Sequence, residues 1–203
     1  GGAVSGDSYA FIYLDSGQVL MSLSDGMGSG ERAKEDSELM INLLEQMVDT
    51  GFQRRSALRM INSLMMLQGD RQLFSTMDLS VIDLYSGICE FLKAGAATTF
   101  IRRSNWVETI TSTSMAAGLV QQLDFEKTSK KLYDGDYLVM VTDGVLDALP
   151  GKQEEKIMKE IILQAQEEMP RELGRYILEK VLSYSNYRAR DDMTVLVAGM
   201  WKK

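Results

Sequence analysis

Histidine is absent from this chain of 203 residues, and cysteine occurs once, at Cys89. Without histidine, the chain cannot use a Ser-His-Asp or Cys-His catalytic pair, and it cannot bind zinc through imidazole. A thiol phosphatase needs an arginine shortly after its cysteine, whereas Cys89 is followed by EFLKAG. One cysteine also cannot form an internal disulfide, which favours a reducing compartment. We therefore predict that Cys89 is a small buried residue in a strand.

Positive charge and long apolar runs are also scarce. Lysine and arginine number 22 against 29 acidic residues, giving a net charge of −7. This balance disfavours binding to nucleic acid phosphates and to anionic membranes. No apolar run reaches the roughly 20 residues of a membrane span, and no signal peptide is visible. Composition and length therefore predict one cytoplasmic domain over residues 1–203 that contacts neither nucleic acid nor a membrane directly.

Hydrophobic periodicity predicts an α+β fold in which strands and helices are segregated along the chain. The strands are predicted at 8–14, 18–24, 77–82, 88–93, 100–101, 107–110, 137–141 and 193–200. Helices are predicted at about 31–50, 54–68, 153–166 and 171–186. In the first two helices, the three- and four-residue steps place these residues on the inward face: Leu39, Met40, Leu43, Leu44, Met47, Val48, Leu58, Ile61, Leu64 and Met65.

Aspartates occur where several predicted strands begin or end. Asp7 opens the first hairpin, Asp25 ends its second strand, Asp143 ends the buried strand 137–141, and Asp192 precedes the last strand. Each alone is an ordinary turn or cap residue. Brought together at one end of a sheet, however, the carboxylates would repel one another unless a cation neutralised them. Oxygen ligands favour Mg²⁺ or Mn²⁺ over Zn²⁺.

Three segments carry a resemblance to a known family. They read SDGMGSG at 24–30, TDGVLD at 142–147 and RDDMTV at 190–195. In this order they resemble the metal motifs of PP2C-type (PPM) serine/threonine phosphatases. The spacing and the Gly-Met-Gly-x-Gly segment resemble the bacterial sporulation and stress-response branch of that family. The resemblance covers essentially the whole chain and implies a PP2C-like β-sandwich flanked by antiparallel helices, in αββα layers.

The resemblance also implies a site with two Mn²⁺ or Mg²⁺ ions. By motif, Asp25 would bridge both ions and the Gly26 carbonyl would bind one of them. Asp143 and Asp192 would bind the other, and Asp7 matches the first family aspartate. Two adjacent acidic positions are further candidates, Asp147 near a third ion and Asp191 beside Asp192.

The implied reaction is hydrolysis of a protein phosphoserine or phosphothreonine by water that the ions activate. The implied partner is a phosphorylated anti-sigma-factor antagonist, whose dephosphorylation activates a sporulation sigma factor. The abrupt start of the chain favours a domain excised from a larger protein, which would place it at the cytoplasmic face of a membrane-anchored chain. The resemblance leaves homodimer formation open. Relatives outside bacteria hold phosphate with an arginine shortly before the first aspartate motif. Residues 1–5 of this chain contain no arginine.

Three alternatives compete with this interpretation. A pseudo-phosphatase would keep the fold as a binding or sensing module, but all the main motif aspartates are present. A nucleotide-binding loop needs Lys-Ser/Thr at its end, whereas Gly30 is followed by Glu31 and Arg32. A two-metal nuclease or phosphodiesterase is disfavoured by the negative charge. Metal-dependent turnover separates an enzyme from a pseudo-phosphatase.

Overall fold

The computed structural model describes residues 4–26, 30–67, 74–123 and 125–201. The chain divides into two compact units. The first, the N-terminal unit, combines Gly1–Ala96 with Ser112–Lys131, and the second, the C-terminal unit, combines Ala97–Thr111 with Leu132–Lys203. Every strand pair in the two units is antiparallel among the described residues.

The N-terminal unit contains a five-stranded sheet in the order β1-β2-β3-β4-β7. Its strands are β1 Asp7–Leu14, β2 Gln18–Asp25, β3 Met77–Asp83, β4 Ile88–Ala94 and β7 Glu126–Lys131. The first hairpin closes tightly because Gly17 adopts a positive φ of 72°, which glycine tolerates without steric cost. Tight closure sets the register of β1 on β2, from Leu14 opposite Gln18 to Asp7 opposite Asp25.

Two helices pack on one face of this sheet, α1 Glu31–Asp49 and α2 Arg54–Met66. Glu31 in the first turn of α1 complements the helix dipole, and Gly51 follows its end with φ at 83°. The core between helices and sheet is apolar: Leu20, Met40, Leu44, Leu58, Ile61, Met77, Leu79 and Leu92 are almost fully buried. Burial of this size is the main force that holds the helices on the sheet.

The C-terminal unit contains a four-stranded sheet in the order β6-β5-β8-β9. Its elements are β5 Thr99–Arg102, β6 Val107–Ile110, β8 Tyr137–Val141, β9 Val195–Gly199, α3 Asp143–Asp147, α4 Glu154–Gln164 and α5 Pro170–Tyr184. Strand β8 is buried at every position because it has a neighbour on each side and lies in the core. Pro170 starts α5, where its missing N–H costs nothing. The helical core residues include Met158, Ile161, Ile162, Leu173, Ile177 and Val181.

Most predicted elements are confirmed, and so is the α+β class. Cys89 is fully buried in β4, as predicted. The predicted inward orientation was wrong for two residues. Leu39 is 38% exposed and Leu64 is 39% exposed, because each lies at the margin of its helix face. Strand β7 and the short helix α3 were not predicted. The predicted positions 27–29 and Gln68 lie outside the described residues. None of the described helices combines the length and hydropathy needed to cross a bilayer.

Candidate metal centre

In the N-terminal unit, the first hairpin places two of the predicted ligands opposite each other. Asp7 begins β1 and Asp25 ends β2, and the antiparallel register pairs their Cα atoms. Both side chains are partly buried. One residue further on, the Gly26 amide donates a hydrogen bond of 3.1 Å to the Gly6 carbonyl. The antiparallel register therefore holds Asp7 and Asp25 opposite each other at the open end of the hairpin.

Gly26 lies against the backbone of α1. A Cβ atom at this position would lie 1.9 Å from the Ala33 carbonyl oxygen, a distance that no side chain tolerates. Glycine is therefore required for this close approach. The residue whose carbonyl was predicted as a metal ligand is thus held directly at the first turn of α1.

Three hydroxyl residues surround Asp25, and the sequence prediction missed them. Ser24 precedes Asp25 and is fully buried, and Ser75 and Thr76 lie across from it, just before β3. Their hydroxyl groups contact the Asp25 backbone and one another. The signal in the sequence was a pair of polar residues, Ser75 and Thr76, placed directly before an apolar strand.

In the C-terminal unit, the second and third motifs are far apart in sequence and meet through their backbones. Asp143 begins α3, and its Oδ1 accepts a 2.8 Å hydrogen bond from the Gly144 amide. A Cβ atom on Gly144 would lie 2.0 Å from the Asp192 carbonyl oxygen, so the two backbones are in direct contact. Asp191 contributes by accepting a 2.9 Å hydrogen bond from the Asp192 amide at its own Oδ1. The structure therefore brings the second and third motifs together.

Negative charge accumulates around Asp147 in the same unit. Partial burial raises the pKa of the Asp147 carboxyl above its ordinary value, and the charges of Asp143, Asp191 and Glu154 raise it further. The charges of Asp143 and Asp191 thus reach Asp147 and disfavour its ionisation. A bound cation would relieve this repulsion.

The C-terminal unit also contains a cavity of ≈ 460 Å³. Its lining includes Asp147, Glu154, Tyr184 and Arg190. Arg190 directly precedes the Asp191-Asp192 pair and supplies a positive charge at the cavity. Residues 1–5 contain no arginine, and the sequence motifs did not assign Arg190 a role in binding phosphate.

The donor atoms fit a hard divalent cation. They are carboxylate oxygens and one glycine carbonyl, the ligand types that Mg²⁺ and Mn²⁺ prefer. Within the described part of the chain, no group of three or more His, Cys, Asp or Glu side chains is placed to hold a metal ion. The assignment of Asp7, Asp25, Asp143 and Asp192 to one centre therefore stays a prediction.

Comparisons with known proteins give the family. The profile of the stage II sporulation protein E (SpoIIE) family matches residues 15–200. The stage II sporulation protein E of Priestia megaterium is 36% identical over 199 residues, 98% of this chain and 34% of that protein. The phosphoserine phosphatase RsbU of Bacillus subtilis is 21% identical over 198 residues, 96% of this chain and 59% of that protein. The chain thus spans about a third of the SpoIIE relative.

Solved structures agree with the sequence comparison. The PP2C phosphatase domain of Bacillus subtilis SpoIIE, with a fragment of its regulatory domain, superposes with a TM-score of 0.91 at 34% identity. That match covers 98% of this chain and 60% of the solved chain. A Mn-presoaked structure of the same phosphatase domain matches at 29% identity with a TM-score of 0.62, covering 100% of this chain and 91% of the other. The chain therefore belongs to the stage II sporulation protein E family and has the PP2C phosphatase fold.

Proposed function

We propose that this chain is a metal-dependent protein serine/threonine phosphatase. The observation that carries the proposal is the close approach of Gly144 to Asp192. A Cβ atom on Gly144 would lie 2.0 Å from the Asp192 carbonyl oxygen. This contact sets two motif carboxylates, Asp143 and Asp192, on adjacent backbone.

We further propose the ligands of two Mn²⁺ or Mg²⁺ ions. Asp25 would contact both ions, and the Gly26 carbonyl would bind one. Asp143 and Asp192 would hold the other, with Asp7 opposite Asp25 as an additional acidic group. When bound, such ions neutralise phosphoryl oxygens and lower the pKa of water, which supplies a nucleophile at neutral pH.

The chain's own residues set the geometry for this chemistry. The β1–β2 register holds Asp7 opposite Asp25, and Asp191 fixes the Asp192 amide through its Oδ1. Because the chain has no histidine, no imidazole can donate a proton to the leaving serine oxygen. Cys89 is fully buried, and burial raises the pKa of its thiol well above the ordinary value, so it is no nucleophile.

For the substrate, we propose a phosphoserine or phosphothreonine on a small anti-sigma-factor antagonist protein, whose dephosphorylation activates a sporulation sigma factor. The support is membership in the SpoIIE family together with similarity to RsbU, a phosphoserine phosphatase. We also propose that the full-length protein is membrane-anchored and presents this domain to the cytoplasm.

The test is release of phosphate from a phosphoserine protein in Mn²⁺, Mg²⁺ or chelator. Wild type should release phosphate only with metal, and Asp143→Asn should lose at least about 100-fold in rate, as expected when a metal ligand is weakened. Asp15→Asn is the matched control, because Asp15 is exposed in the β1–β2 turn and away from every motif. Equal rates in all conditions would refute the metal mechanism. Metal binding without turnover on any phosphoprotein would instead favour a pseudo-phosphatase module.

A further inference from the structure

The backbone of Asp25 is held on both sides by hydrogen bonds from a neighbouring segment. Its amide donates to Thr76 Oγ1 at 2.8 Å. Its carbonyl accepts from the Thr76 amide at 2.9 Å and from Ser75 Oγ at 2.9 Å. Because partners constrain both peptide groups that flank the Asp25 Cα, they also constrain the direction in which its side chain leaves the backbone.

Ser24 completes this arrangement, and we call Ser24, Ser75 and Thr76 the hydroxyl clamp. Ser24 Oγ lies 2.5 Å from Ser75 Oγ and 2.9 Å from the Thr76 carbonyl oxygen. Ser24 and Ser75 are both 0% exposed, so each hydroxyl needs a protein partner to offset its desolvation.

The clamp has more contacts than hydroxyl protons. Ser24 and Ser75 have two hydroxyl protons for three contacts: Ser24 with Ser75, Ser24 with the Thr76 carbonyl, and Ser75 with the Asp25 carbonyl. Either serine can donate in the Ser24–Ser75 contact. When Ser24 donates to Ser75 and Ser75 donates to the Asp25 carbonyl, the two protons link Ser24 to the Asp25 backbone through Ser75. The Asp25 carbonyl keeps the Thr76 amide as a donor in every arrangement.

Ser75 is itself fixed by its backbone. It forms isolated bridges to Gly26 and to Ala117. Its amide donates to the Ala117 carbonyl at 3.2 Å, and the Ala117 amide donates back at 2.9 Å. The hydroxyl that reaches Asp25 is thus presented from a backbone that is anchored on its other side, so it acts as a rigid support.

A hydroxyl residue also precedes the motif aspartate of the C-terminal unit. Thr142 directly precedes Asp143, and its Oγ1 accepts a 3.0 Å hydrogen bond from the Thr194 amide. The Thr142 amide donates to the Thr194 carbonyl at 3.1 Å. In both units, a side-chain hydroxyl therefore ties the residue before a motif aspartate to a neighbouring segment.

We propose that Ser75, acting with Ser24 and Thr76, is a positioning residue that aims Asp25 and the following Gly26 at a divalent cation. This inference rests on the proposed function, in which Asp25 and Gly26 are ligands. Groups that orient metal ligands typically change metal affinity by roughly 10–100-fold when removed. Loss of the clamp should therefore weaken metal binding and leave the fold intact.

The experiment measures Mn²⁺ binding by isothermal titration calorimetry. Ser75→Ala should raise the Kd for Mn²⁺ by roughly 10–100-fold. The matched control is Ser80→Ala, the same change at a serine of β3 that is also 0% exposed but has no contact with Asp25 among the hydrogen bonds of the described residues. Ser80→Ala should leave the Kd within about twofold of wild type. Phosphatase activity of Ser75→Ala should recover as Mn²⁺ is raised to saturation, since the ligands themselves are intact.

A second pair of variants is used if a thermal melt with chelator shows that Ser75→Ala is not folded. Thr76→Val removes the hydroxyl at nearly constant volume, and Thr76→Ser retains it. Thr76→Val should weaken Mn²⁺ binding, and Thr76→Ser should bind like wild type. Equal Kd values for Ser75→Ala and Ser80→Ala, or for the two Thr76 variants, would overturn the positioning role alone. Absence of Mn²⁺ binding and of phosphate release in the wild type would overturn the proposed function as well.

Discussion

A buried ion pair in the N-terminal unit offers a sharp test of the energetics. Lys93 Nζ lies 2.5 Å from Asp78 Oδ2, and the two side chains are 1% and 2% exposed. The two residues are directly opposite in the β3–β4 register. The perturbation is Lys93→Met, which keeps the apolar length of the side chain and removes its charge.

The magnitude follows from charge and burial. At an effective dielectric constant of about 20, unit charges 2.5 Å apart attract by about 7 kcal/mol. Much of this attraction offsets the cost of removing both charges from water, so the pair contributes little net stability. Removing one partner, however, leaves the Asp78 carboxylate buried beside an apolar side chain. We expect Lys93→Met to lower the free energy of unfolding by about 3–5 kcal/mol, or the melting temperature by roughly 6–20 °C.

The assay is thermal unfolding in chelator, so that metal binding does not contribute. The double variant Asp78→Leu/Lys93→Met removes both charges and should recover to within about 1–2 kcal/mol of wild type. Lys127→Met is the control, because Lys127 is 47% exposed in its pair with Glu90 and should cost about 1 kcal/mol or less. The reasoning is refuted if Lys93→Met costs no more than Lys127→Met, or if the double variant is no more stable than Lys93→Met.

Three further predictions concern titration, reactivity and backbone contact. A hydrogen bond from Lys127 holds the pKa of Glu90 below its ordinary value near 4.5, so its contribution is present above that pH and is lost as pH falls. Glu90→Gln should therefore flatten the acid limb of a stability-versus-pH curve, by about 1 kcal/mol or less because Glu90 is partly exposed. Cys89 should not react with a thiol reagent such as DTNB until the chain unfolds, because it is fully buried and burial raises its pKa. Gly144→Ala should cost about 1–3 kcal/mol in thermal unfolding and weaken Mn²⁺ binding in calorimetry, because its Cβ would displace the Asp192 backbone.

Each of these predictions has a contradicting outcome. An unchanged acid limb in Glu90→Gln would show that the pair does not persist in solution. Modification of Cys89 by DTNB in the folded protein, at a rate faster than global unfolding, would contradict its burial. For the backbone contact, Gly174→Ala is the control, since a Cβ there would meet its nearest atom at an ordinary 3.4 Å in α5. Equal stability and equal Mn²⁺ affinity in the two alanine variants would contradict the close contact at Gly144.

Local patterns were enough to predict most of the fold. The 8–14 and 18–24 hairpin was readable because alternation and the Asp-Ser-Gly turn act within a few residues. The continuously apolar run 137–141 indicated a strand buried on both faces, which β8 is. Strand β7, with the sequence EKTSKK, was missed because it has no apolar periodicity. It is a strand because it pairs with β4 along its whole length.

The limits of periodicity also explain the errors in the helices. Steps of three and four residues place Leu39 and Leu64 near the apolar face, but both are about two-fifths exposed. The pattern gives the direction of a face and not the width that the sheet covers. Which marginal residue is buried depends on the tertiary packing of the helix against the sheet.

The predicted metal centre shows the same division between what local sequence patterns specify and what tertiary packing decides. The sequence by itself determined which aspartates are candidates, the oxygen character of the donors and the exclusion of histidine and thiol chemistry, because these follow from residue identity and short motifs. Only the tertiary structure decided that Gly144 meets Asp192 and that Ser75 supports Asp25. Those contacts join residues about 50 positions apart. They depend on strand register and on the burial of whole units, which no local pattern specifies.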